Sequence, residues 1–297
     1  MTSTKQQEPL QKKYDSILRN GHPDLENIIH PDDCVVVMEK LDGANASFMV
    51  DENQQLRVFS RNMELDETET LRGFYEWVHQ NINPLHVDKN YVYFGEWLVK
   101  HKLRYGENEN QFYLFDIYHK KEGKYESIDK LIKESRYLNI PIAPIFYIGP
   151  FKNESFMKQF VGKSVLGEHG EGIVVKKQNG QLPFMKMVGE HFTEVKPQKE
   201  LKPSTDAEAM YIQTFLTKAR VEKELYKLID EKIIPEKLHI EYMQTILSHL
   251  VKRVHDDILK EEKPPTNFNI KASQKLCGKW IPSMVKEIID EGKQSHD

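Results

Sequence analysis

The chain has 297 residues, a net charge of −4, 39% hydrophobic and 30% charged side chains. That balance supplies a core beneath a charged surface and excludes a wholly disordered, collagenous or coiled-coil chain. No apolar run approaches the roughly 20 residues a membrane helix needs, the polar start (1–11) lacks the apolar stretch of a secretory signal, and Cys34 and Cys277 are too few for a disulfide framework. These features predict a cytoplasmic protein without membrane association and with both thiols buried; they leave the oligomeric state open, with a monomer as the default. A slightly acidic total does not favour nucleic-acid binding, although local basic stripes can provide it.

From about Asp32 to Val195 the pattern is strand-like, with short β-branched and aromatic runs between polar turns. Strands are predicted at 34–38, 46–50, 56–59, 91–99, 111–118 and 173–177, and helices at 69–80 and 127–138. This reads as an α+β domain over 1–200, built of largely antiparallel sheets with flanking helices. After Lys196-Pro197 and Lys202-Pro203 the period changes. Met243, Ile246, Leu247, Leu250, Val251, Val254 and Ile258 share one helical face. Met210, Phe215, Leu216, Leu225 and Ile229 suggest a helix before it, and Cys277, Ile281, Val285 and Ile288 one after Pro264-Pro265. A small all-helical domain over 204–297 is therefore expected, joined near residue 200.

The chemistry begins at Lys40-Leu41-Asp42-Gly43-Ala44-Asn45, which presents an amine at a tight turn after an apolar strand. Gly43 is expected to adopt a backbone conformation other residues resist. Alone this fits a hairpin turn with an exposed lysine. Downstream, however, Tyr93-Phe94-Gly95-Glu96-Trp97, Phe115-Asp116-Ile117, Glu171-Gly172-Ile173-Val174-Val175-Lys176 and Phe184-Met185-Lys186-Met187-Val188 follow in order. Each places charge on or beside an apolar strand, where it is costly unless paired with another charge, a metal or a ligand.

In this order, with Glu39 before Lys40, Asn45 after the turn and Ser60-Arg61, the segments resemble the covalent nucleotidyltransferase superfamily of ATP-dependent DNA and RNA ligases and mRNA capping enzymes. The nearest likeness is to the phage RNA ligases that seal nicks in duplex RNA and their kinetoplastid RNA-editing relatives. It covers about residues 30–195 and implies a nucleotidyltransferase (ATP-grasp-like ligase) domain. It also implies ATP and Mg²⁺ or Mn²⁺ as cofactors, and RNA with 5′-phosphate and 3′-hydroxyl ends as partner. Carried over, Lys40 would attack the α-phosphate of ATP to give lysyl-AMP. Arg61 would contact phosphate, Glu96 the ribose, and Phe115 would stack on adenine. Glu39 and Asn45 would line the nucleotide site, Glu171 would bind the metal, and Lys176 and Lys186 would lie beside the triphosphate.

These residue types suit the chemistry. A free lysine, with a pKa of about 10.4, is the neutral nucleophile only about once in a thousand at neutral pH, a penalty of roughly 4 kcal/mol. Departing pyrophosphate needs cationic neutralisation, suited to Mg²⁺, Arg61 and Lys186, and magnesium needs hard oxygen ligands such as Glu171. One departure from the family pattern stands in the last motif. Val188 occupies the place of a second lysine, for which Lys177 or Lys196 are the candidate substitutes.

Other features read as structural. Gly167, Gly170 and Gly172 lack the helix and Lys-Ser/Thr of a phosphate loop, while Glu168-His169 and Glu190-His191 read as solvated loops and the histidines show no zinc pattern. The helical tail favours RNA over DNA as substrate, since DNA ligases and capping enzymes usually continue into a barrel. Within it Lys271, Lys275 and Lys279, four apart beside Trp280, form a stripe able to meet RNA phosphates, although Gly278 and Pro282 oppose a helix there. The expected activity is ATP-dependent RNA ligation. The alternatives are a DNA nick ligase and a nucleotide- or RNA-binding relative without turnover.

Overall fold

The computed structural model describes residues 11–26, 28–196 and 206–294. Most of the polar start, and Pro197, Lys202 and Pro203 of the expected junction, lie outside the described residues. The chain divides into two compact units, Met1–Met187 and Val188–Asp297.

Among the described residues the first unit holds β1 (Leu18–Arg19), β2 (Cys34–Lys40), β3 (Ala44–Val50), β4 (Leu56–Ser60), β5 (Tyr91–Trp97), β6 (Phe112–His119), β7 (Lys124–Tyr125), β8 (Ile145–Pro150), β9 (Gly172–Lys177) and β10 (Met185–Val188). Its helices are α1 (Phe74–Asn81), α2 (Ile128–Leu138) and α3 (Glu154–Lys158). The strands form two five-stranded sheets, ordered β1-β10-β9-β2-β8 and β4-β3-β5-β6-β7. The short β1 runs parallel to β10, while β2 pairs antiparallel with β8 and β9, and β3 with β4 and β5. The class is α+β, as the strand periodicity predicts.

Side-chain alternation sorts these sheets into layers. In the second sheet Ala46, Phe48, Tyr93, Phe112 and Leu114 join the main core under α1 and α2. Its other face carries Met49, Val92 and Phe94, which pack with Val174 of the first sheet and with Phe184, just before β10. The outer face of the first sheet buries Val35, Val37, Ile173, Val175, Met185 and Met187 against α3. Lys40, Lys186 and Lys176 therefore share the inner face, toward the second sheet.

Three local departures have physical causes. The expected helix at 69–80 starts only at Phe74, because Leu71 (φ 50°), Arg72 (φ 56°) and Gly73 (φ 99°) are all left-handed and cannot enter a right-handed helix. Strand β8 was not foreseen. Its Gly149-Pro150 end reads as a turn, yet β8 is a sheet edge, where proline is tolerated. Cys34, expected to be buried, is exposed: it is the first residue of β2, opposite Pro150, beyond the cover that seals Val35 to Met38.

The second unit holds α4 (Ala207–Phe215), α5 (Lys218–Asp230), α6 (Met243–Glu261) and α7 (Ile270–Gln294). The single helix expected before α6 is two, because Thr217 caps α5 by accepting from the Arg220 N–H at 3.2 Å. Ile246, Leu250, Val254 and Ile258 of α6 meet Cys277, Ile281, Val285 and Ile289 of α7, none more than 2% exposed. That packing carries α7 through Gly278 and Pro282, despite the roughly 3 kcal/mol a helical proline costs. The carboxylates of Glu194, Asp257 and Glu261 lie close enough together to suggest a metal site. Two cations already occupy it: fully buried Arg220 and the Lys223 amine bond this group. No helix among the described residues is long and apolar enough to cross a membrane.

Candidate active site

Lys40 ends β2 in the first sheet and Ala44 opens β3 in the second. The Leu41-Asp42-Gly43 turn is thus no hairpin; it carries the chain from one sheet to the other and leaves the amine between them. Gly43 is needed for a reason other than the one its sequence suggests. Its φ is not left-handed, but a Cβ there would lie 2.5 Å from the Trp97 carbonyl oxygen. The bare backbone comes close enough for its N–H to donate to Glu96 Oε1 at 3.1 Å.

Around the amine the sheets gather acid. Lys40 Nζ donates to Glu171 Oε2 at 2.6 Å, and Lys40 pairs with Gly172 in the ladder, which fixes Glu171 beside it. Burial pulls the Lys40 amine down, but the carboxylates of Glu171, Glu96 and Asp42 more than offset this and hold it above an ordinary lysine. Burial likewise pushes the Glu171 carboxyl up, against the opposing pull of Lys40, while Lys186 also favours its charged form. We read the pair as ionic at neutral pH. Glu96 is driven by burial to about 7, despite Lys40 and His101. Asn45 faces Glu96 directly across β3 and β5.

Arg61 follows Ser60, whose ladder partner is Ala46, so it leaves β4 at the level of Asn45. It is half-buried, and among the described residues nothing hydrogen-bonds or ion-pairs its guanidinium. Phe115 sits on a β-bulge. Phe94 pairs with Asp116 and Gly95 with Leu114, so Phe115 is the unopposed residue, partly buried and packed edge-on against Tyr14 with ring centroids 4.9 Å apart.

Two expected site residues bond partners other than Lys40, Glu96 and Glu171. Glu39 alternates to the outer face, opposite Ile173, where its carboxylate accepts from the Ser164 hydroxyl and from the Val165 N–H at 2.9 Å. Burial raises its carboxyl against both bonds. Lys176 lies four residues along β9 from Gly172, about 13 Å, and its amine bonds the Phe115 carbonyl at 2.7 Å and Asp116 Oδ1 at 2.9 Å. The hydroxyl of Tyr14 donates to the other Asp116 oxygen. Lys176 therefore holds the Phe115 bulge rather than the amine site. Nor does Lys177 stand in for the lysine missing at Val188: it is bound to Asp33 at 3.1 Å, toward the far end of β9.

Asp42 does more than form the turn. It accepts from the Leu103 N–H at 2.7 Å, its own N–H donates to the Tyr105 hydroxyl at 2.8 Å, and His101 Nδ1 lies 3.8 Å away. Its place two residues after the lysine was the available signal. Tyr14 carried none, because nothing before residue 30 matched a motif.

The donors assembled here are hard oxygens at Glu171, Glu96 and Asp42, beside the amines of Lys40 and Lys186. That set suits a divalent cation with a polyphosphate. The RNA ligase family model matches residues 33–188. Similar solved structures include a Naegleria gruberi RNA ligase mutant with ATP and Mn, at 21% identity over 60% of this chain and 56% of that one, TM-score 0.44. Another is the Naegleria gruberi RNA ligase with PPi, at 21% identity over 60% and 56%, TM-score 0.45. A mutant with AMP and Mn matches at 22% identity over 60% and 56%, TM-score 0.45. The chain thus spans little more than half the length of those relatives, and no curated protein matches it. With the family model matched over more than half of its residues, the chain belongs to the RNA ligase family.

Proposed function

We propose that the protein is an ATP-dependent RNA ligase whose first unit is the adenylyltransferase domain, nearest in kind to the enzymes that seal nicked duplex RNA. The observation that carries this is the amine of Lys40, held between two sheets among three carboxylates, with Lys186 on the same inner face of the sheet. Without nucleotide, Lys40 is kept as an ammonium by Glu171 and is dormant. After losing a proton its nitrogen bonds the α-phosphorus of ATP, and the bond to the departing pyrophosphate oxygen breaks. A 5′-phosphate oxygen of RNA then attacks that phosphorus and releases Lys40. Finally a 3′-hydroxyl attacks the 5′-phosphorus and AMP leaves.

Arg61 and Lys186 supply positive charge to the triphosphate, Phe115 a face for adenine, and Glu96 and Asn45 polar contacts to the nucleoside. Glu171 would hold Mg²⁺ or Mn²⁺, which neutralises phosphate charge when bound. The lysine stripe of α7 is exposed, and Lys286 extends it. Among the described residues none of Lys271, Lys275, Lys279 and Lys286 is ion-paired. The charge of such a stripe suits a phosphate backbone and does not distinguish RNA from DNA, so the substrate is a matter for assay.

Radiolabelled ATP with Mg²⁺, followed by denaturation, tests the reading. A covalent adenylate that Lys40→Ala abolishes is expected, with sealing of nicked RNA ahead of nicked DNA. A protein that binds ATP without labelling is a binding relative, and one sealing DNA faster is a DNA ligase.

A further inference from the structure

Between β5 and β6 runs Lys100-His101-Lys102-Leu103-Arg104-Tyr105, an alternation of basic and inward-facing residues outside any strand. His101 (8% exposed) and Tyr105 (2%) are buried, and Leu103 packs on the main core. Lys102 and Arg104 are exposed and Lys100 is half-buried. A mere solvated loop needs no special anchorage. This one is fixed on several sides. Asp42, two residues from the nucleophile, binds the Leu103 N–H and the Tyr105 hydroxyl at 2.7 and 2.8 Å. The loop holding Glu39 closes against it: a Cβ on Gly167 would lie 2.9 Å from the Arg104 carbonyl, and Asn108 Nδ2 donates to the Leu166 carbonyl at 2.9 Å. From the far side the Arg72 guanidinium donates to the Lys100 carbonyl at 3.2 Å.

We propose that Lys100, Lys102 and Arg104 form the docking site for the phosphodiester backbone of the RNA strand next to the join. The inference rests on the ligase reading and deepens it by naming where substrate is held. Three cationic side chains project from backbone tied to the residue that anchors the Lys40 turn, so phosphates gripped there lie beside the adenylate to be transferred. Among the described residues Arg104 has one competitor, the half-buried Glu109, whose Oε1 lies 3.6 Å away, a loose surface pair that a phosphate can displace. Anchoring lowers the ordering entropy that a flexible basic loop would lose on binding.

The test compares the full chain with Lys100→Ala/Lys102→Ala/Arg104→Ala and a charge-retaining Lys100→Arg/Lys102→Arg/Arg104→Lys variant. The probes are ATP alone and a nicked RNA duplex whose 5′ end is already adenylylated, which bypasses the first step. In the alanine variant Lys40 labelling by ATP is expected to hold within about twofold. KM for the adenylylated nick should rise about tenfold with kcat little changed, and the dependence of log affinity on log salt should flatten by about 2 to 3. The charge-retaining variant should behave as the unaltered protein. An unchanged KM and salt slope would overturn the proposal, as would equal loss of Lys40 labelling, which would mark the loop as part of the fold around ATP. Failure of the unaltered protein to label would instead defeat the ligase reading, and the RNA-binding comparison would still decide the loop.

Discussion

The Lys40 amine and Glu171 Oε2 lie 2.6 Å apart, so the residue that must attack phosphorus is stored in its unreactive, protonated form. A guanidinium placed there would never deprotonate. Lys40→Arg is therefore expected to lower adenylate formation by at least 10³-fold while ATP affinity stays within a few-fold, checked by single-turnover labelling beside equilibrium ATP binding.

Burial raises the Glu96 carboxyl to about 7. A carboxyl whose folded value exceeds its unfolded one binds protons more tightly when folded. Its contribution to stability is complete below about 4.5 and is lost as pH rises through 7. Glu96→Gln should therefore raise Tm more at pH 8 than at pH 5 while weakening nucleotide binding. Equal changes in Tm at the two pH values, by scanning calorimetry without nucleotide, would sink this account.

Asp116 is buried with Lys176 and Tyr14 as partners, and the three brace the Phe115 bulge. Removing the hydroxyl alone, with Tyr14→Phe, should cost about 1 to 2 kcal/mol. Lys176→Met strips the buried carboxylate of its countercharge and should cost about 3 to 5 kcal/mol. Urea titration of both variants checks the order.

At Gly43 the nearby Trp97 carbonyl leaves no room for a methyl group. Gly43→Ala is expected to destabilise on the order of 2 kcal/mol and to reduce adenylylation more than ATP binding, because the turn that aims Lys40 must shift.

In the helical unit, His255 is 2% exposed and its Nε2 lies 2.8 Å from the Ser273 hydroxyl oxygen. Burial lowers its pKa, so the unfolded chain takes up the proton first as pH falls. Stability should therefore drop as pH falls below about 6.5. Replacement by glutamine, which cannot be protonated, should remove that His255 component from a denaturation series between pH 7.5 and 5.5.

Much of this was legible in the sequence because periodicity reports burial directly. The runs that became β2, β3, β4, β5, β6 and β9 alternate or stay apolar, and the α6 and α7 faces repeat at three and four residues. What escaped notice was set by partners distant in sequence. Lys176 looked like a phosphate ligand until Asp116, sixty residues earlier, claimed its amine. Glu39 bonds Ser164, 125 positions later, a contact the strand pattern around it does not show. Tyr14 reaches Asp116 across 102 positions, and no local pattern announces such a contact.

The chain's crossing from one sheet to the other at Asp42 makes the gap between the layers a gauge for the chemistry. Tyr14, Phe94 and Phe184 fill that gap like shims, with Lys40 riding on one plate and Glu96 on the other. Thinning a shim well away from the amine would then reset its reach to Glu96 while Glu171, carried on the same plate, stays beside it, so an aromatic that never meets ATP would still govern how fast the lysine is adenylylated.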